Sequence, residues 1–353
     1  MIRSFARALL ALCVAVAPGG LFAPPVAYAQ SGDWQVPRTA DGRPDLQGNW
    51  SNATLTPFTR PRGVDSPIMS VERVAELEGG AANYVERVSQ SSDPDRIAPP
   101  AGGDGSGGAA GMVGGYNGIY IDRGNSVARV DGVPMSSLVT FPANGRVPEL
   151  TPEAIAESQA NRARTRQFGF YDHPEVRPLG ERCIVSFGTN IGPPMLPNGF
   201  YNNNYTIVQT ADHVLIMAEM VHDARIIRIG DGPRLPEHIR PWMGDSWGHW
   251  EGDVLVVETT NINPLHRFRG QSTDNLKVIE RFSRADEKTI LYEFRIDDPK
   301  TYTEPWGGQI PMVALDDKLF EYACHEGNYA LSNILSGARY QERAGNAAAN
   351  RRR

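Results

Sequence analysis

From residue 205 to residue 322 the chain repeats one pattern: short runs of β-branched, aromatic and aliphatic residues, each closed by a turn signal. The runs are 205–209, 213–220, 224–229, 254–260, 276–283, 289–297, 309–315 and 319–322. Turns such as Thr210-Ala211-Asp212 and Glu251-Gly252-Asp253 separate them. Closely spaced strands joined by tight turns pair as neighbours, so the pattern predicts a mainly β fold: an antiparallel sandwich or small barrel. The half before it reads as irregular. Three helices are expected. One follows Ser70 over 71–78 and is stopped by Gly79-Gly80. One starts at Thr151-Pro152-Glu153 and runs to about 164. One spans 329–343, with Leu331, Ile334 and Leu335 at helical spacing.

The start of the chain reads as an export signal. Arg3 and Arg7 precede an apolar run over 8–17, and Ala27-Tyr28-Ala29 offers small residues for cleavage. The run is well short of the ~20 apolar residues that span a bilayer. The expected organisation is a signal over 1–29, an N-terminal extension over 30–92, a Gly-rich segment over 93–118 and a β-barrel domain over 119–353 with its C-terminal helix. The expected location is the periplasm or the outside of the cell, with no stable membrane insertion. The whole chain carries −6, and the signal removes two arginines and no acid, which leaves −8. That charge argues against a nucleic-acid partner. The glycines of 102–108 carry no Gly-Lys-Ser/Thr, so a phosphate loop is not expected.

Cleavage also removes Cys13 and leaves Cys183 and Cys324 in an oxidising compartment. A disulfide between them is the first reading; two free buried thiols are the other.

Strand faces point to chemistry. Side chains two apart share a face, and an acid interrupts three apolar rows: Leu215-Met217-Glu219, Val254-Val256-Glu258 and Leu276-Val278-Glu280-Phe282. Such acids either reach solvent at strand ends or line a polar pocket, with Arg225, Arg269 and Arg295 as partners. Among the seven histidines, His222 and His325 stand at run ends, next to Asp223 and Glu326. No two histidines have the spacing of a local metal site. Trp242, Trp247, Trp250 and Trp306 add aromatic surface, as core or as a platform for a ring-shaped ligand.

Pro44-Asp45-Leu46-Gln47-Gly48-Asn49-Trp50-Ser51-Asn52-Ala53-Thr54-Leu55-Thr56-Pro57, Tyr201-Asn202-Asn203-Asn204-Tyr205, Trp250-Glu251-Gly252-Asp253 and Tyr322-Ala323-Cys324-His325-Glu326-Gly327-Asn328 resemble motifs of a large family of exported bacterial proteins without an assigned activity. That family has a basic residue at the place of His249, which lowers His249 as a catalyst. Gly48-Asn49-Trp50 and Gly248-His249-Trp250 resemble the first-strand signature of lipocalin-like barrels. The expected fold is therefore a lipocalin-like antiparallel barrel.

The expectation for function is an enzyme acting on a small cyclic or sugar-like molecule by acid/base chemistry, as a lyase, isomerase or hydrolase, with no cofactor or metal. His222, Glu280 and His325 would carry protons. Asn203, Tyr205, Arg225, Trp242, Glu258 and Arg269 would bind substrate. The alternatives are a lipocalin-type carrier using the same cavity without chemistry, and an envelope scaffold.

Overall fold

Alternation of apolar and polar residues along the runs does close a barrel. The computed structural model describes residues 34–89, 122–187, 189–199 and 203–350. The expected export signal, the Gly-rich segment, Tyr201, Asn202 and the terminal arginines lie outside them.

In the first half, β1 is Gly48–Ser51, β2 and β3 are the short pair Arg129–Val130 and Val133–Pro134, and β4 is Val139–Phe141. Asp131 and Gly132 turn β2 into β3 with positive φ at both residues, which is the hairpin geometry an Asp-Gly pair favours. In the second half come β5 (Asn204–Gln209), β6 (His213–Ala218), β7 (Ala224–Ile229), β8 (Asp245–Glu251), β9 (Val254–Thr260), β10 (Lys277–Arg284), β11 (Thr289–Asp297) and β12 (Trp306–Ala314). They pair in chain order from β5 to β12. β1 pairs with both β5 and the end of β12, which closes a nine-stranded ring, and β4 pairs with Gly307 and Gly308 near the start of β12. β1 comes from the expected N-terminal extension, so that segment supplies a barrel stave.

Two strand readings change. Residues 319–322 form no strand; they belong to an irregular strap ahead of the last helix. β8 was not foreseen, and it pairs with β7 in parallel, so the barrel is not antiparallel throughout. A parallel pair needs a crossover, and residues 230–244 supply it. On the outer face Arg228 binds the Asp245 carboxylate and lies 4.2 Å over the Trp247 ring, which fastens the two parallel strands.

The helices are α1 (Val71–Ser89), α2 (Pro152–Arg166) and α3 (Tyr329–Asn350). Ser70 Oγ accepts the amide of Arg73, and Thr151 Oγ1 accepts that of Ala154, as capping requires. α1 does not stop at Gly79-Gly80. Glycine inside a helix costs only about 1 kcal/mol, and Glu78 anchors that turn by accepting the Val127 amide and pairing with Arg129.

Inward side chains of the ring include Trp50, Tyr205, Ile216, Ile227, Val257, Val278, Phe282, Phe294, Trp306 and Ile310, all buried. The irregular segment after Cys183 enters this core as well: Val185, Ile191, Met195 and Leu196 pack among the strand residues. The barrel interior is therefore filled by its own side chains and by this plug. The Cys183–Cys324 disulfide, closing 141 residues, ties the start of the plug to the strap.

Candidate active site at the barrel mouth

An irregular segment inside a barrel brings backbone amides and carbonyls that no ladder satisfies. The sequence meets this with a polar layer just inside the mouth. Arg225 from β7 holds Glu280 from β10 through two bonds, Nη1 to Oε2 at 2.5 Å and Nη2 to Oε1 at 2.9 Å. Tyr292 on β11 donates its hydroxyl to Glu280 Oε1 at 2.9 Å and accepts the plug amide of Met195 at 2.9 Å. Tyr205 on β5 donates to the plug carbonyl of Asn190 at 2.5 Å. Asn52, just past β1, donates to the Tyr205 hydroxyl and to Met195 O, both at 3.2 Å. Ser186 bonds the Asn190 side chain at 2.8 Å.

Electrostatics follow from burial. Burial pulls the Arg225 guanidinium down, and the carboxylate of Glu280 beside it more than reverses this, so Arg225 is held above its ordinary value. Burial, and then the charge of Glu280, raise the Tyr292 phenol well above its usual value. Both tyrosines are therefore neutral donors. The layer fastens the plug, and Glu280 is wholly buried within it.

Outward of this layer, β6 leads into β7 through 219–223. Val221 and His222 have φ of 62° and 48°. Consecutive left-handed residues, one of them β-branched, are costly and persist only where the surroundings impose them. The turn is pinned by Glu219 N to Asn204 O at 3.0 Å, His222 N to Glu219 O at 3.2 Å and Ala218 N to Asp223 O at 2.8 Å. Asn204 Nδ2 also donates to Glu219 Oε2 at 3.1 Å.

This turn presents two titratable groups side by side. His222 is exposed, and its Nδ1 lies 2.8 Å from the carbonyl oxygen of Tyr322 on the strap. A carbonyl only accepts, so Nδ1 carries a proton in this contact. Asp223 has the same strand parity as Arg225 and Ile227 and is half-buried at the mouth. Its Oδ2 has no hydrogen-bond partner among the described residues. Burial pushes this carboxyl up to about 6, against the opposing pull of His222. Asn52 Oδ1 and Asn204 Oδ1 are further buried acceptors without a partner in the described structure.

The other expected residues fall in different places. His325 is exposed, three residues beyond Tyr322 on the same strap, and is not in the buried layer with Glu280. Asn203 is buried and clamps a loop, donating to Asp122 O and Asn198 O and accepting from Asn198 N, each at 3.0 Å. Glu258 points outward, between Arg234 and Lys277. Trp242 is half-buried, and its carbonyl accepts from His266, a ring that burial holds below its ordinary pKa. Arg269 lies 5.0 Å over Phe58 and 5.9 Å over Trp306. Of the three acid-interrupted rows, only Leu276-Val278-Glu280-Phe282 faces inward; the inward residues of β6 are Val214, Ile216 and Ala218, and those of β9 are Leu255, Val257 and Thr259.

From sequence Asp223 stands out only as the neighbour of His222, and Asn52, Tyr292 and the plug residues carry no expected role. Tyr292 carried a signal, because it shares the apolar row Ile290-Tyr292-Phe294-Ile296. Among the described residues no three His, Cys, Asp or Glu side chains are grouped to hold one metal ion. Compared with protein families, curated proteins and solved structures, the chain matches none.

Proposed function

We propose that this chain is an exported enzyme that transfers protons on a small, hydroxyl-bearing organic molecule at the barrel mouth, using its own side chains. The observation that carries this reading is the pair His222 and Asp223. One group is an imidazole whose Nδ1 meets the Tyr322 carbonyl. The other is a carboxyl whose pKa stands at about 6 with one oxygen unpartnered. An imidazole beside a carboxyl that burial has raised is the kind of acid/base pair that lyases, isomerases and hydrolases use. The strained backbone at Val221 and His222 supports the reading, since strain gathers where side-chain direction matters to function. The orphaned Asn204 oxygen beside the turn suits a substrate hydroxyl. Glu280 and Arg225 enter as positioning residues that hold the plug, and His325 as a neighbour on the strap. A carrier with its ligand inside the barrel would first have to displace segment 183–199 from the core.

The test is a thermal-shift screen against lactones, sugar acids and cyclic hydroxy acids, followed by product analysis on any compound that stabilises the protein. The reading expects turnover, with kcat falling at least ~100-fold in both His222→Gln and Asp223→Asn. A ligand that binds without being converted, or turnover that survives both substitutions, would overturn it.

A further inference from the structure

A second site lies on the far side of α2. The last turns of α2 and the loop after it enclose an open recess of about 500 Å³, lined by Asn161, Arg162, Thr165, Arg166, Phe168, Phe170 and Val176. That volume is in the range of small-molecule sites, ~300–1,000 Å³. Part of the lining is aromatic: Phe168 and Phe170 are 59% and 53% exposed and lie two apart in the chain. Another part is cationic. Arg162 and Arg166 are four apart on one helix face and repel each other. Neither makes an ion pair or a hydrogen bond among the described residues.

The nearby charges leave these two arginines uncompensated. Arg164 turns aside to Asn161 Oδ1 at 3.1 Å. Asp172 accepts the amide of Gly169 and faces Arg339 at 3.8 Å. Arg339 also takes Glu342, and Arg177, stacked 4.0 Å over Phe170, takes Glu181. Glu175 lies 3.9 Å from His173. The attraction of the helix C-terminus for cations accounts for basic residues in the last turn. It does not account for an aromatic recess opening between two of them.

From this juxtaposition we infer that the recess binds a carboxylate-bearing aromatic or aliphatic molecule, its apolar body against Phe168 and Phe170 and its carboxylate between Arg162 and Arg166. Two guanidinium groups converging on one anion give charge-assisted bonds, and the ring faces supply apolar contact area. The site stands apart from the barrel mouth and does not depend on the activity proposed there.

The experiment is titration calorimetry of the signal-less protein with naphthalene-2-carboxylate and, in parallel, with its uncharged carboxamide. The carboxylate is expected to bind at one site, at least ~10-fold tighter than the amide. The double variant R162Q/R166Q, confined to exposed side chains, should lose that tenfold preference while its circular dichroism stays unchanged. Phe168→Ala should weaken both probes. Absence of carboxylate binding, equal binding of the two probes, or a preference that survives R162Q/R166Q would overturn the proposal.

Discussion

Arg225 and Glu280 sit on strands that are not neighbours, β7 and β10, and meet inside the barrel through two hydrogen bonds of 2.5 and 2.9 Å. Both side chains are almost wholly excluded from water, at 3% and 0% exposure. Each charge is tolerable only because the other is present. The pair also reaches the plug through Tyr292, which donates to Glu280 and accepts the Met195 amide, so one charge pair links the barrel wall to the plug.

Removing one partner leaves the other charge buried and alone. Glu280→Gln and Arg225→Met are each expected to cost about 3–5 kcal/mol. The joint replacement by apolar residues, R225M/E280L, should cost less than the sum of the two, because no charge is then stranded. Urea unfolding of the four proteins measures the coupling. Strict additivity would show that the pair is not the unit described.

The Cys183–Cys324 bond closes a long loop and ties the plug to the strap that holds His222. Asn328 adds to the same knot, donating to Glu181 O at 3.0 Å and to Cys183 Sγ at 3.3 Å. Cys183→Ser with Cys324→Ser is expected to lower stability by about 2–5 kcal/mol. Limited proteolysis should then cut first within 183–199 or 315–328. A cut pattern unchanged from the intact protein would count against the tether.

β12 carries Gly307-Gly308 just after its first residue, inside a strand where glycine is usually avoided. A Cβ at Gly308 would lie 2.2 Å from Leu138 O, and one at Gly307 would lie 2.2 Å from Phe294 O. The register to β4 shifts between these two residues. Gly308→Ala is therefore expected to cost upwards of ~2 kcal/mol through overpacking against backbone. Gly79→Ala, in the exposed helix α1 with open space around its Cβ, should instead stabilise by about 0.5–1 kcal/mol. Melting curves of the two variants should move in opposite directions.

What was legible in the sequence followed from local physics. β5, β7, β9, β10 and β11 carry β-branched or aromatic residues at alternate positions, and their bounds fall within about a residue of those read from the chain. Thr151-Pro152-Glu153 and Ser70 capped helices as written. β8 was missed because Asp245-Ser246-Trp247-Gly248-His249-Trp250-Glu251 has no β-branched residue; its strand character comes from β9, against which it pairs along its whole length. The plug was invisible for a different reason. Nothing local in the run from Asn190 to Leu196 says that it will be buried, since two of its partners, Asn52 and Tyr292, lie far away in the chain and Tyr205 faces it only once the barrel has closed. Arg225 and Glu280 could be paired on paper as a buried cation and acid. That they would face a plug depends on long-range closure, which periodicity does not report.

Asp223 gives the sharpest test of the mouth. Its folded pKa, about 6, lies above the ordinary value of 3.8. A raised carboxyl pKa means that between these two values the folded state binds more protons than the unfolded one, so stability falls as pH rises through this window. Below it the carboxyl is neutral in both states and costs nothing; above it the full penalty of a half-buried, half-satisfied carboxylate is present. Asp223→Asn removes the charge and keeps the shape. The variant should melt a few degrees above the parent at pH 7 and at the same temperature at pH 4, with the difference growing between pH 4 and 6. If the reading of the mouth as an acid/base site is right, the same variant loses turnover at the pH where it gains stability, since a site poised for chemistry holds groups that folding alone would not choose. A melting difference that is flat from pH 4 to 7 would show that Asp223 titrates as an ordinary surface carboxylate, and the acid would have to be sought elsewhere on the turn.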